Sequence, residues 1–227
     1  MNLSFDDEDH QYKIDGIPAV SVSRIATAVT GKSFSMIKPE ILEAARIRGE
    51  TIHSEVENGE MLFSESVWIQ EQLDMENCEY EVKIGGYVAG LAIAGRLDIY
   101  DSKGILDIKT GSTYDPLYCA IQLNLYRELL LQSRPCPVEY LRVLHTPKSG
   151  KYKVIEVPIF SGVKLKKVVE AFKEHKCLDS HFLDDMNTVT IKIWAKASEE
   201  MLYGLTQYMN VLGIEYGEVT DGQGKEG

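Results

Sequence analysis

The chain is short of cysteine pairs, of long apolar runs and of positive charge, and each shortage removes a class of protein. Its 227 residues include four cysteines, Cys78, Cys119, Cys136 and Cys177, with no CxxC pair among them. Such scatter indicates neither a zinc ribbon nor a dense disulfide framework, and it reads as reduced, mostly buried thiols. No apolar stretch approaches the ~20 residues of a membrane-spanning helix. The opening "MNLSFDDEDH" is acidic where a secretory leader needs a basic segment followed by an apolar one. The expectation is a cytoplasmic protein with no membrane contact. Basic residues number 24 against 35 acidic ones, a formal net charge of −11, so the molecule as a whole repels polyanions. Binding to nucleic acid would have to come from a local basic surface, or from metal ions that invert the charge of an acidic site.

What remains is an ordinary globular composition, 44% hydrophobic and 26% charged, without repeats or low-complexity segments. It suits one domain with a sizeable core, placed at residues 1–216 with a disordered tail at 217–227. "HQYKIDGIPAVSVSRIATAV" reads as a hairpin around Asp15-Gly16 leading into a helix. From Pro39, "EILEAARIRGETIHSEVENGE" is helical in pattern apart from Gly49, and a second amphipathic segment follows near "SVWIQEQLDM". Strands then take over: "CEYEVKI", a turn at Gly85-Gly86, "YVAGLAIAGRLDIY", the turn "DSKG" and "ILDIKTG". Asp115-Pro116 opens a helix over "PLYCAIQLNLYRELLLQ". A strand pair flanks "TPKSGK", and helices are expected over "SGVKLKKVVEAFKEHKCL" and "SEEMLYGLTQYMNVLG". The order predicts an α/β fold, a central mixed β-sheet flanked by helices.

Within this order, "GRLDIYDSKGILDIKTG" (95–111) carries two aspartates into the apolar part of a hairpin. Alternation puts Leu97, Ile99, Leu106 and Ile108 in one set and Asp98, Asp107 and Lys109 in the other. If residues 101–104 form the turn, Asp98 lies across from Asp107, with Cβ atoms roughly 4.5–5.5 Å apart. Like charges so placed destabilise a sheet unless a cation separates them. Carboxylate oxygens suit a hard divalent ion, Mg²⁺ or Mn²⁺, and Lys109 would sit beside it to act on a water or to offset transition-state charge. The competing reading is a pair of solvent-facing acids on an edge hairpin. Gln122 and Tyr126, four apart on the following helix, could approach phosphate or brace the metal ligands. His53, in "RGETIH", could complete the coordination.

In order, R-G-x-x-x-H, G-x-x-D, D-I-K-T and Q-x-x-x-Y resemble the PD-(D/E)xK nuclease superfamily, and within it the RecB-type and phage-encoded exonucleases. The likeness covers Arg48 to Tyr126 closely and extends to "HQYKIDG...SVSRI". It implies a restriction-endonuclease-like core. It also implies that Asp98 and Asp107 are the metal-binding acids, Lys109 the catalytic lysine, the Ile108 carbonyl a further ligand and His53 an added histidine ligand. Gln122 and Tyr126 would be associated with substrate phosphate, as would Arg48. Glu81 would be an accessory acid, although Glu79 shares its parity. The second acid is Asp where many members have Glu. No C-terminal cysteine trio is present, so no iron-sulfur cluster is expected. "ATAVTGKS" has Ala26 where a Walker loop needs Gly, so no nucleotide site is expected either.

The resemblance implies a metal-dependent DNA exonuclease leaving 5′-phosphates, in phage or bacterial recombination or repair. Its partners would be DNA, a recombination or single-strand-binding protein and further copies of itself; if phage-encoded, it would work in the bacterial host cytoplasm. Arg142, Lys148, Lys151, Lys153, Lys164, Lys166, Lys167 and Lys173 are either a backbone-tracking surface or a solvated charged face. The alternatives in function are a catalytically idle nuclease-fold module that binds DNA or protein, and a sequence-specific endonuclease.

Overall fold

The computed structural model describes residues 2–6, 11–33 and 35–184, all within one compact unit, Met1–Asn187. The helix expected over 198–213, the tail at 217–227 and the domain bound at 216 lie outside the described residues.

Three short strands open the chain: β1 (Leu3–Asp6), β2 (Gln11–Ile14) and β3 (Ile17–Ser21). Asp15 and Gly16, at φ 49° and 81°, make the β2–β3 turn, a conformation that Asp-Gly tolerates well. Ser21 caps α1 (Val22–Thr30) by accepting from the Arg24 N–H, and left-handed Gly31 ends it. α2 (Pro39–Asn58) starts on a proline whose missing N–H costs nothing there, and α3 (Ser64–Glu71) follows. The buried Glu55 carboxylate joins these two helices by accepting from the Phe63 N–H and the Ser66 hydroxyl.

The middle of the chain is β4 (Glu79–Val88), β5 (Leu91–Tyr100) and β6 (Gly104–Lys109). Then come α4 (Pro116–Ser133), β7 (Tyr140–His145), β8 (Lys153–Val157), α5 (Gly162–Lys173) and a short α6 (His181–Asp184). The strands form one mixed eight-stranded sheet in the order β1-β2-β3-β5-β6-β7-β8, with β4 also on β5. The β3–β5 and β6–β7 pairs are parallel and the others antiparallel. Helices α1, α4 and α5 bury one face around Ile93, Leu97, Ile105, Leu141 and Val143. Helices α2 and α3 bury the other around Ile99, Leu106, Ile108 and Leu144. The protein is an α/β sandwich around a mixed sheet.

Two expectations are corrected. Gly85-Gly86 is not a turn: β4 runs through it, and the chain reverses at Ala89-Gly90, at φ 47° and 75°. The glycines are needed for close packing instead. A Cβ on Gly85 would lie 3.0 Å from Leu3 and 3.2 Å from Ile14, and one on Gly86 would collide with the Gln132 amide. That amide bonds both the N–H and the C=O of Tyr87, each at 3.0 Å.

The second correction concerns Leu97, which does not share a face with Ile99. It packs with α1 and α4, and Ile99 packs with α2 and α3. Residues two apart share a face in a regular strand, so the strand changes face at Asp98. Opposite Asp98 on β4, Glu81 is at φ 51°. Backbone pairing holds at Tyr80↔Ile99 and Val82↔Leu97 but skips the position between. An irregular residue of this kind re-aims side chains and raises local twist.

Asn124, fully buried on α4, ties that helix to the chain after β8. Its amide donates to Ala120 O and Pro158 O, each at 2.8 Å, and its carbonyl accepts from the Phe160 N–H at 2.6 Å. Asn124→Leu strands Pro158 O and Phe160 N–H in the core and is expected to cost ~2–4 kcal/mol, read from urea unfolding followed by circular dichroism. A loss under ~0.5 kcal/mol would contradict this account.

Candidate active site

Three acids line up across adjacent strands where the sheet's hydrogen bonding lapses. Glu81 on β4 faces Asp98 on β5, bracketed by the pairs on either side. On the other edge, β5 and β6 pair only at Ile99↔Leu106 and Tyr100↔Ile105, the register that sets Asp98 across from Asp107. In place of a further backbone bond, Asp98 Oδ2 accepts from the Ile108 N–H at 2.8 Å. The strands part there because a side chain has taken a ladder position.

His53 comes to this row from α2, one residue beyond the buried Ile52 that anchors the helix on the sheet. Its Nδ1 is 3.5 Å from Glu81 Oε1 and its Nε2 3.8 Å from Asp98 Oδ2. Burial alone would lower its pKa, but Asp98, Glu81 and Asp107 outweigh that and hold it up at about 9. Arg96 pairs with the other oxygen of Glu81. Burial would raise the Glu81 carboxyl, yet His53 and Arg96 together keep it below its usual range.

Asp107 is the most buried of the three acids, 1% exposed, and burial pushes its pKa up against the pull of Lys109. Lys109 Nζ lies 2.6 Å from Asp107 Oδ2 and donates to Gln122 Oε1 at 3.0 Å. Burial would favour its neutral form, but Asp107 and Asp98 hold it charged. Tyr126 lies one turn beyond Gln122 on α4, and its ring fills the space left by Gly95, where a Cβ would be 2.8 Å away. Gln122 therefore stands behind Lys109 and holds its position.

Arg48, expected at phosphate, spends its guanidinium on the protein itself. It donates to Thr110 O at 2.6 Å and Thr146 O at 3.2 Å, and pairs with Glu65 at 2.5 Å. These contacts clamp α2 over the ends of β6 and β7 and so set where His53 stands.

Which atoms could hold a metal follows from the donors. His53, Glu81 and Asp98 each offer one ligand atom, all within 4.8 Å of one another, a nitrogen-oxygen set suited to a divalent ion. Asp107, which the motif also places on the metal, is outside that group. Neither of its buried oxygens makes a well-formed hydrogen bond despite the nearby ammonium, so the carboxylate retains acceptor capacity beside the triad. The residues fit a divalent cation. Glu81 enters the site and Glu79 does not, although they share parity in the sequence; Glu79 pairs with Arg134 at 2.7 Å instead.

Arg96 and Glu65 belong to the site's surroundings but to none of the sequence motifs. Arg96 stands two residues before Asp98 in the hairpin, a position that marks it as a partner for a neighbouring acid such as Glu81. Nothing local marks Glu65 as a partner of Arg48, because 17 residues separate them.

Comparison with known proteins gives little beyond the fold. No family model matches the chain, and no curated protein matches it. Among solved structures, SSO0001 is similar at 16% identity and a TM-score of 0.46, over 69% of this chain and 75% of that one. A candidate exonuclease from Eubacterium rectale is similar at 15% identity and a TM-score of 0.47, over 69% and 77%. These are partial likenesses of fold.

Two outcomes are expected from the geometry. Mn²⁺ should raise the Tm of the protein, since a ligand at 100 times its Kd stabilises by ~2.7 kcal/mol; Asp98→Asn should lose most of that rise in differential scanning fluorimetry. An unchanged Tm in millimolar Mn²⁺ argues against a metal site. Arg48→Ala should cost about 2–4 kcal/mol by leaving two carbonyls and Glu65 without their partner, and Arg48→Lys should recover only part of it.

Proposed function

We propose that this chain is a metal-dependent deoxyribonuclease of the PD-(D/E)xK type, acting as an exonuclease that leaves 5′-phosphates. The observation carrying this reading is the junction of two groups. A metal-capable triad, His53, Glu81 and Asp98, adjoins a lysine held protonated at an under-bonded buried carboxylate. A purely structural ion pair between Asp107 and Lys109 would have no need to adjoin a metal-capable triad.

Asp98, His53, Glu81 and Asp107 are assigned to hold the divalent ion, Mg²⁺ or Mn²⁺, with the Ile108 carbonyl as a further ligand. Bound there, such an ion supplies Lewis acidity and a water of lowered pKa. Lys109, kept charged by Asp107 and Asp98, would donate to a phosphoryl oxygen or to the attacking water and offset negative charge as it develops. Gln122 keeps the ammonium aimed by accepting one of its protons, and Tyr126 is one turn further along the same helix. Arg48 serves as a positioning residue.

The expected basic surface divides by location. Lys109, His145 and Lys153 are aligned across β6, β7 and β8, and exposed Lys148 and Lys151 lie in the adjoining turn. These lysines are assigned to the nucleic-acid backbone. Arg142, Lys166 and Lys173 have partners in Glu156, Glu170 and Ala89 O. Lys164 is buried between the Phe160 and Phe182 rings. Among the described residues no helix is long and apolar enough to cross a membrane. A recombination or repair setting, a phage origin and a protein partner belong to the same proposal.

End-labelled linear duplex and single-stranded DNA, incubated in Mg²⁺, Mn²⁺ and EDTA, test the reading. Progressive metal-dependent loss of label supports it. Discrete fragments indicate a sequence-specific endonuclease, and binding without cleavage an idle module. Lys109→Ala should keep the Mn²⁺-dependent rise in Tm and lose ~10²–10³ in rate at saturating DNA. Recovery of the parent rate when DNA is raised would make Lys109 a binding residue only.

A further inference from the structure

One cross-strand pair beside the acid row repeats its problem with the sign reversed. On β4 and β5, Lys83 lies directly across from Arg96, two residues along β5 from Asp98. Residues so paired have Cβ atoms roughly 4.5–5.5 Å apart, and like charges there destabilise a sheet unless a counter-charge joins them. Leu97 packs against α1 and α4, so Lys83 and Arg96 point to the other side of the sheet, the side on which α2 brings in His53. Both are exposed, the Arg96 side chain at 56%.

Glu81 answers only part of this charge. One of its oxygens pairs with Arg96 while the other stands 3.5 Å from His53 Nδ1, and it belongs to the triad that fits a divalent ion. That carboxylate is engaged without Lys83, which has no acidic partner among the described residues. Lys83 instead reaches the ring of Phe5, with Nζ 5.7 Å from the centroid. This is near the outer limit of a cation–π contact, which leaves the ammonium charged and able to donate. A guanidinium carries more N–H donors than one carboxylate can accept, so Arg96 can hold Glu81 and still donate outward. The counter-charge that completes the pair is an anion, and these donors suit phosphate oxygens.

We propose that Lys83 and Arg96 form a phosphate subsite, taking the backbone phosphodiester next to the one held at the metal. The inference rests on the nuclease reading above and adds that the bound strand continues from the acid row along β4 and β5. Two residues of strand span about 7 Å, so the subsite adjoins the triad, with Arg96 in contact with Glu81. With a net charge of −11, substrate contact depends on local cations of this kind.

Fluorescence anisotropy of labelled oligonucleotides, with Ca²⁺ replacing Mg²⁺, tests this apart from cleavage. Lys83→Ala should weaken binding about three- to tenfold near physiological salt and lower the slope of log K against log salt by about 1. Lys83→Arg should retain most of the affinity, and Lys83→Glu should lose more than the alanine variant. In a scan that replaces single phosphates with neutral methylphosphonates, the parent should lose affinity at one position that Lys83→Ala no longer senses. Lys83 is outside the metal-capable triad, so Lys83→Ala should keep the Mn²⁺-dependent rise in Tm. Loss of that rise would make Lys83 a support of the metal site and overturn the subsite. If the parent binds and Lys83→Ala matches it in affinity, slope and scan, the subsite is wrong and the nuclease reading stands. If the parent binds no DNA in any form, both fall.

Discussion

Acids buried side by side in a sheet repel one another and lose hydration, and the rest of the molecule is arranged around that cost. At close range in a medium less polar than water, like charges cost several kcal/mol unless cations are interleaved. Glu81, Asp98 and Asp107 occupy neighbouring strands, and His53, Arg96 and Lys109 come from two of those strands and from α2 to lie among them. The sheet gives up backbone bonds on both sides of Asp98 to accommodate this. Distortion at one position thus turns an ordinary antiparallel meander into a place where a divalent ion and a phosphate can be received.

The surrounding elements each constrain one member of the group. Arg48 clamps α2 to the chain beyond β6 and β7, which positions His53. Gln122 on α4 supports Lys109 from the opposite face, and Gly95 supplies the room for the Tyr126 ring on the same helix. The two hydrophobic clusters hold these helices to their own sides of the sheet. A change in either cluster can therefore disturb the site without touching an ionisable residue.

Much of this was legible in the sequence, because alternation and turn length together fix hairpin register. The residues 101–104 turn sets Asp98 across from Asp107, and helix periodicity puts Gln122 and Tyr126 on one side of α4. What the sequence concealed are outcomes of packing between distant segments. Gly85-Gly86 reads as a turn by composition, yet it is a thin place in a strand that lets β1, β2 and Gln132 approach. Glu79 and Glu81 are equivalent by parity, and only the left-handed backbone at Glu81 separates their fates. Arg48 reads as a phosphate contact from its motif, but its partners are 17, 62 and 98 residues away.

The β5–β6 turn has a role beyond reversing the chain. Asp101 accepts from the Lys103 and Gly104 N–H groups and from the Tyr140 hydroxyl of β7. A Cβ on Gly104 would lie 2.1 Å from the Tyr140 ring. The loop is thus gauged at both ends, and its length determines which face Asp107 and Lys109 present. One residue inserted or deleted there would exchange their side chains with those of Leu106 and Ile108, putting aliphatic groups in the site and charges under α2 and α3. In lineage terms this hairpin has room to drift in composition at exposed Lys103, less at Ser102, whose φ of 72° favours small or turn-forming residues, and it is closed to insertions, which makes its length a sharper mark of descent than its letters.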